Sequence, residues 1–260
     1  MEYQKFFPEG WNSKEEYTFS EIEQARLNGK IIEGTVINCD ENFNLHVSLG
    51  NNLEGIVPKN EIELEDNIKP SIYKNKENTI IQFKVNEISE GNILLSRKAV
   101  KKEAFEWVKN DLKSGDIVVG IVKNIRPFGA FIEIGGGIVG LLHIEDISVS
   151  RIKSPEERLY VGQKIKVMIK SIDSDKERIC LTHKELLGNW EENVKELEEK
   201  TIVEGIIKEA DKYKNGIFVE LKPNLVAMAE YQDGLKYGQK VKVLIKKIIK
   251  AKKKIKVVII

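Results

Sequence analysis

Cysteine is scarce in this chain, with Cys39 and Cys180 the two among 260 residues. Both sit inside strand-like runs, GTVINCD and RICLTHK, where a small half-buried thiol is ordinary, so no disulfide is expected. Long apolar runs are missing. No stretch approaches the roughly 18 apolar residues of a membrane span, and the opening MEYQKFFPEG lacks the basic region and apolar core of a secretory signal. The expectation is a soluble, cytoplasmic protein with no membrane partner. Histidine is almost as rare. His46, His143 and His183 are dispersed, with no CxxC or HxxxH spacing, which argues against a zinc site. No GxSxG-like nucleophile motif occurs, and the carboxylates on the helical segments are explained by solvation and short-range ion pairs. With no assembled site, the chain is read as not an enzyme, with no cofactor and no metal.

An excess of charge of one sign is also absent. Lysine and arginine number 42 against 41 aspartates and glutamates, a formal net charge of +1, so bulk charge gives no pull toward nucleic acid. Distribution says more than the sum. Residues 236 to 256, KYGQKVKVLIKKIIKAKKKIK, hold ten lysines and no acid, whereas EGIVPKNEIELED at 54 to 66 is mainly acidic. A lysine-rich strand pair can be a phosphate-binding surface, and it can equally be a solubilising face.

What is present is repetition. EGTVIN, VGIVKN and EGIIKE recur as strand openings, placing Gly34, Gly120 and Gly205 at intervals of 86 and 85 residues. A second block follows in register: NLHVSLGNNLEGIVP, AFIEIGGGIVGLLH and IFVELKPNLVAMAE. A third pairs VGQKIKVMIKSI with YGQKVKVLIKKI, and the first unit has the weaker TIIQFKVNEI. The units close with ILLSRKA, RICLTHK and IKVVII. Within the blocks apolar and polar residues alternate, as in KIKVMIK, where Ile165, Val167 and Ile169 face one way and Lys164, Lys166, Met168 and Lys170 the other. Five such short strands per unit predict a small barrel of the OB type, because closure removes the exposed edges of a five-stranded sheet. The glycine triplet at 135 to 137 joins two strands, and no helix follows it to face a phosphate, so it reads as a turn.

Two segments read as helices between the units. AVKKEAFEWVKNDL sets Val100, Ala104, Val108 and Leu112 at steps of four, and KELLGNWEENVKELEEK sets Leu186, Trp190, Val194 and Leu197 on one stripe. Trp107 and Trp190 lie in them and are read as packing against the barrels ahead of stacking on bases. The resulting organisation is an N-terminal extension at 1–27, containing the amphipathic TFSEIEQARL, and a barrel at 28–98. A helical connector at 99–112 leads to the second barrel at 113–184, and a connector at 185–200 to the third at 201–260. The fold class is mainly β: three tandem five-stranded OB-fold barrels with short helical connectors. The long connection EDISVSRIKSPEERLY in unit two, shortened to EYQDGLK in unit three, reads as a surface loop.

Alternation in the second unit also orients side chains. Phe131 and Glu133 fall on one face, opposite Ile132 and Ile134, so both are expected on the wet side; Phe128 falls on the core side by the same count. In the last strand Ile179 and Leu181 read as core, Arg178 and Thr182 as outward.

The blocks FGAFIEI, GLLHI, VGQKIKV and RICLTHKE, in that order, resemble the S1 RNA-binding domain family over the whole of unit two, and ISVSRIKSPEERLYVGQ is similar to the repeats of bacterial S1 ribosomal proteins. Units one and three are weaker copies. The resemblance implies single-stranded RNA binding across strands two and three, with Phe128 and Phe131 as the stacking aromatics, His143 as the histidine after strand three, Arg178 as the arginine opening the last strand and Asp173 as the acid of the preceding turn. It places a bulge at Gly129 to turn Phe128 outward. In unit one Phe43 keeps the first aromatic position, but His46, Pro58 and Asn92 replace the other members. In unit three Phe218 keeps the second position and Lys254 stands in for the arginine, while Asn215 and Glu230 replace the first aromatic and the histidine. Phe43, Phe218 and Lys254 are therefore secondary RNA-binding candidates.

The family further implies messenger RNA and the small ribosomal subunit as partners, in translation. The chain is read as a monomer. Two other readings stand beside this one: a protein-docking adaptor on the ribosome, for which the acidic, motif-poor first unit speaks, and an RNA-decay or stress regulator acting off the ribosome.

Overall fold

A computed structural model describes residues 4–12, 16–65, 69–89, 91–173, 178–211 and 216–260. The fifteen strands among these residues form three closed barrels. Barrel one contains β1 (Ile32–Cys39), β2 (Leu45–Ser48), β3 (Glu54–Val57), β4 (Ile80–Ser89) and β5 (Asn92–Ser96). Barrel two contains β6 (Ile117–Arg126), β7 (Gly129–Gly135), β8 (Ile138–His143), β9 (Lys164–Asp173) and β10 (Arg178–Thr182). Barrel three contains β11 (Ile202–Asp211), β12 (Gly216–Lys222), β13 (Leu225–Glu230), β14 (Lys240–Ile249) and β15 (Lys254–Ile259). Within each barrel the first strand pairs with the second and the fourth, and a parallel pairing of the third with the fifth closes the ring.

The alternation that defines the strands fills the barrels. In β9, Ile165, Val167 and Ile169 are buried with Ile132, Ile134, Leu142, Ile179 and Leu181 in one core cluster. Each barrel has its own cluster. The glycine that recurs in every first strand is required by close approach: a Cβ on Gly120 would collide with Ile132, and Gly34 and Gly205 meet the matching residues Val47 and Val219. Two residues after that glycine, each first strand carries a bulge, at Val36/Asn38, Val122/Asn124 and Ile207/Glu209.

Residues before barrel one have a definite place. Helix α1 (Phe19–Asn28) starts at a Thr18/Glu21 capping box and buries Ile22 and Ala25. Upstream, residues 4–11 run as a strap along barrels one and two. The Gln4 amide accepts from Val119 N–H at 2.8 Å and donates to the Ile134 carbonyl at 2.7 Å, and Phe6 packs 5.6 Å from Trp107. Between barrels one's third and fourth strands lies the short helix α2 (Pro70–Lys74). The first connector is α3 (Arg97–Asn110), capped by Ser96, with Val100, Ala104, Trp107 and Val108 buried; Ala104, Trp107 and Val108 join the core of barrel two. At its start Arg97 is buried and ion-paired to Glu9 of the strap and to Glu63 of barrel one, both within 2.8 Å.

Four expectations need correction. The second connector is not one continuous helical stripe: a 3-10 turn at Lys184–Leu186 is followed by a separate helix after Asn189, which caps Glu192 and restarts the chain. Glu133 lies on the outward side of β7, yet it is buried, because Glu9 of the strap covers it. Thr182 is buried beneath the Asp146 carbonyl. The loop EDISVSRIKSPEERLY is not a plain surface connection either, since Ile147, Ile152 and Leu159 enter the core of barrel two. It opens with a further short helix, α4 (Ile144–Ile147), and the helix restarted at Asn189 is α5 (Trp190–Val194).

Candidate nucleic-acid interface

The bulge in β6 sets the outward row of barrel two. After it, Asn124 faces Phe131, Phe131 faces Leu141, and Leu141 pairs with Cys180, so these four side chains cross the sheet on its solvent side. Phe131 is half-buried there, as alternation requires. Phe128 lies in the β6–β7 turn and is 48% exposed. It points outward because it precedes β7, where strand alternation does not apply; the bulge expected at Gly129 falls in β6 instead. The Phe128 carbonyl accepts from Ile144 N–H at 2.9 Å, which fixes the turn against the end of β8. Gly129 is hemmed in by backbone: a Cβ there would collide with the Leu142 carbonyl oxygen and come within 3.0 Å of His143 Cα. The two phenylalanine rings meet edge-on, centroids 6.1 Å apart at 87°.

His143 ends β8 opposite Gly129 and caps α4, its Nδ1 accepting from Glu145 N–H at 3.4 Å. An accepting Nδ1 places the proton of the neutral ring on Nε2, so the half-exposed imidazole offers an N–H donor on its other side. Behind it Asp146 anchors the site floor by ion pairs to Lys170 and Lys184 at 2.7 and 2.9 Å. Burial alone would raise the Asp146 pKa, but these two ammonium groups outweigh it and hold the carboxyl below its ordinary value. Arg178 opens β10 exposed, in register with Asp173, the last residue of β9 and not a residue of the turn. Phe105 and Lys109 of α3 line a small cleft with this pair.

The matching rows of the outer barrels differ in chemistry. In barrel one the row is Asn38, His46, Ile56 and Leu94. Phe43 stands beside it at φ +65°, its ring tilted 5.6 Å from Tyr73 and covered by Lys59, whose Nζ is 5.2 Å from the ring centre. His46 Nε2 is 3.5 Å from Asp40. In barrel three the row is Glu209, Phe218, Met228 and Lys256, with Met228 exposed, and Lys254 opens β15 opposite Ile249. Asn215 lies outside the described residues. Sequence reasoning did not place Asn124, Leu141, Cys180, Met228 and Lys256 on these rows. The signal that finds them is the bulge, visible only in the pairing. Among the described residues no group of three or more His, Cys, Asp or Glu is placed to hold a metal ion, and no helix is long and apolar enough to cross a membrane.

The family model described as the S1 RNA binding domain matches residues 28–98 and 111–184. The chain is 33% identical over 225 residues to the small ribosomal subunit protein bS1 of Staphylococcus aureus, covering 84% of this chain and 55% of that one. It is 32% identical over 262 residues to the bS1 homolog of Bacillus cereus, covering 92% and 65%. The chain thus spans little more than half the length of the Staphylococcus relative. Among solved structures, that of GSP13 from Bacillus subtilis matches 30% of this chain and 61% of its own at 25% identity, with a TM-score of 0.29.

Proposed function

The chain belongs to the S1 RNA-binding domain family, and from that premise we propose that it binds single-stranded RNA with barrel two as the principal site. The observation that carries this reading is the edge-on pair of Phe128 and Phe131 on the outward face, with the His143 imidazole at the neighbouring strand end. Bases stack on the two rings, each stacked base contributing about 1–3 kcal/mol whatever its identity. His143 Nε2 donates to a base or sugar oxygen, and Arg178 meets a phosphate. Asp173 orients Arg178 from the facing strand position. Barrel three adds Phe218 and Lys254, with Lys256 on the same row as Phe218. No catalytic step is part of this reading.

The bS1 relatives are named as proteins of the small ribosomal subunit. By that likeness the RNA is messenger RNA, and the chain carries it to the small subunit. A second reading, docking of a protein partner, is favoured by barrel one, where Tyr73 and Lys59 engage the ring of Phe43 and His46 replaces the second aromatic.

Titration of a labelled unstructured RNA against wild type and Phe131→Ala/His143→Ala, together with co-sedimentation on small subunits, tests these readings. Loss of RNA affinity in the variant is expected, and unchanged affinity overturns the assignment to barrel two. Subunit association that survives the loss of RNA binding supports the docking role. RNA binding without any subunit association supports a role off the ribosome.

A further inference from the structure

One lysine–glutamate pair recurs at the same place in consecutive barrels. In barrel two Lys123 of β6 meets Glu133 of β7 at 2.7 Å, and in barrel three Lys208 of β11 meets Glu220 of β12 at 3.1 Å. Each glutamate follows the face aromatic, Phe131 or Phe218, by two positions and so points to the same outward side, about 7 Å farther along the strand. Both glutamates are nevertheless buried. In each case the cover comes from outside the barrel.

On barrel two the cover is the N-terminal strap: Glu9 N–H donates to Glu133 at 2.8 Å and Lys123 donates to the Glu9 carbonyl at 3.3 Å. On barrel three it is the 148–158 loop of barrel two. Ser150 Oγ donates to Glu220 at 2.7 Å, the Arg158 guanidinium is ion-paired to the same carboxylate, and Lys208 reaches Glu157 at 2.8 Å. Around this core, Ser150 N–H and Ser148 Oγ donate to the Pro223 carbonyl at 3.0 and 2.9 Å. Tyr237 donates to Glu157 at 2.6 Å, and Lys153 Nζ stands 4.0 Å from the Tyr237 ring centre. The loop cannot drift with its cargo, because Ile147, Ile152 and Leu159 root it in the core of barrel two. Barrel one has Ile37 and Ser48 at the positions of the pair, and Ile37 stays 45% exposed.

We propose that the lysine–glutamate pair is a docking socket, and that its occupation on barrel three by residues 148–158 locks barrels two and three into one rigid unit. Two cations, Lys208 and Arg158, and two anions, Glu157 and Glu220, share the joint: seating the loop adds the Arg158–Glu220 and Lys208–Glu157 pairs to the Lys208–Glu220 pair that barrel three holds by itself, and a withdrawn loop gives up both cross pairs. The loop sits two residues from Phe218 along β12, at the rim of the barrel-three face. Seating it fixes that face relative to the Phe131 face, so an RNA long enough to touch both gains from the second contact without ordering the barrels anew. This last consequence rests on the RNA-binding reading; the lock itself does not.

The test uses the full chain, with Arg158→Ala/Ser150→Ala on the loop and Glu157→Gln as a milder second variant. Nitrogen-15 relaxation without RNA is expected to give barrels two and three one shared tumbling time in wild type and separate, shorter times in the double variant, with Glu157→Gln in between. Independent tumbling in wild type, or shared tumbling in both variants, overturns the lock. Binding of an RNA of about 6 nucleotides, within the span of one barrel, is expected to be unchanged in the double variant. An RNA of about 30 nucleotides is expected to lose roughly tenfold in affinity, at the low end of gains from tethered sites. Equal effects on both lengths overturn the positioning role. Absence of RNA binding in wild type overturns the RNA reading while the tumbling result stands.

Discussion

Phe128 and Phe131 stand edge to face, 6.1 Å between ring centres, one in a turn and one in a strand. The turn residue is outward because the chain reverses there, and the strand residue because β7 alternates, with the bulge in β6 bringing Asn124 opposite it. The edge-on contact holds both rings away from the core and leaves ring faces for bases. The two side chains therefore act together.

A double-mutant cycle measures that coupling. Phe131→Ala and Phe128→Ala are each expected to weaken RNA binding by about 1–3 kcal/mol, and the double variant by less than the sum, since each truncation also removes the support for the other ring. Fluorescence anisotropy with an unstructured RNA reads the effect, and strict additivity contradicts the mutual support.

Gly129→Ala is expected to destabilise barrel two by about 1–3 kcal/mol through overpacking. The new methyl meets the Leu142 carbonyl and His143 Cα, backbone atoms that cannot yield without opening the β7–β8 pairing. Urea unfolding followed by circular dichroism gives the change, and an RNA titration of the folded fraction shows whether Phe128 and His143 have shifted with it.

Arg97→Ala takes the guanidinium away from buried Glu9, while Glu63 keeps its ion pairs to Lys76 and Lys101. A loss of about 3–5 kcal/mol is expected for a broken buried pair, with the strap released from barrel two. Limited proteolysis is expected to cut within residues 4–12 of the strap faster in the variant than in wild type, and equal protection in the two proteins would contradict the strap's dependence on Arg97.

Acid should loosen both joints in the same window. Burial alone would raise the pKa of Glu63 and Glu157. Arg97, Lys76 and Lys101 instead bring Glu63 down to about 2, and Lys208, Tyr237 and the Lys153 N–H bring Glu157 down to about 2. A carboxyl with a depressed folded pKa contributes stability that is complete above its unfolded value, 4.5, and is lost as pH falls toward the folded one. The thermal midpoint and the shared tumbling of barrels two and three are expected to hold from neutral pH to about 5 and to decline between about 4.5 and 2. A decline that begins near neutrality would point to other groups.

Salt should separate stacking from phosphate contacts. Arg178→Ala and Lys254→Ala are each expected to reduce the slope of log affinity against log salt by about 0.7, the value for one phosphate contact on a single strand. Phe131→Ala should lower affinity and leave the slope in place. A slope unchanged in Arg178→Ala would remove that residue from the phosphate contacts.

Repetition and period-two alternation were sufficient to read three barrels from the chain, because burial in a small closed sheet demands apolar residues on every second position and a glycine where Gly34, Gly120 and Gly205 meet a neighbouring strand. They also placed Phe131 on the outside. Periodicity failed at Phe128, which lies in a turn, and it could not show the rows that join Asn124 to Cys180 or Glu209 to Lys256, since a bulge changes the register without leaving a mark in the composition.

Within an unbulged strand the sequence alone determined which side a residue faces; what that side meets was decided only by tertiary structure. Glu133 reads as wet and Glu220 holds the matching outward position in barrel three, and both are covered, one by Glu9 from 124 residues away and the other by Ser150 from 70. Alternation is a local consequence of the pleat. Burial of an outward residue depends on which distant segment reaches it, and no strand carries that information in its own residues.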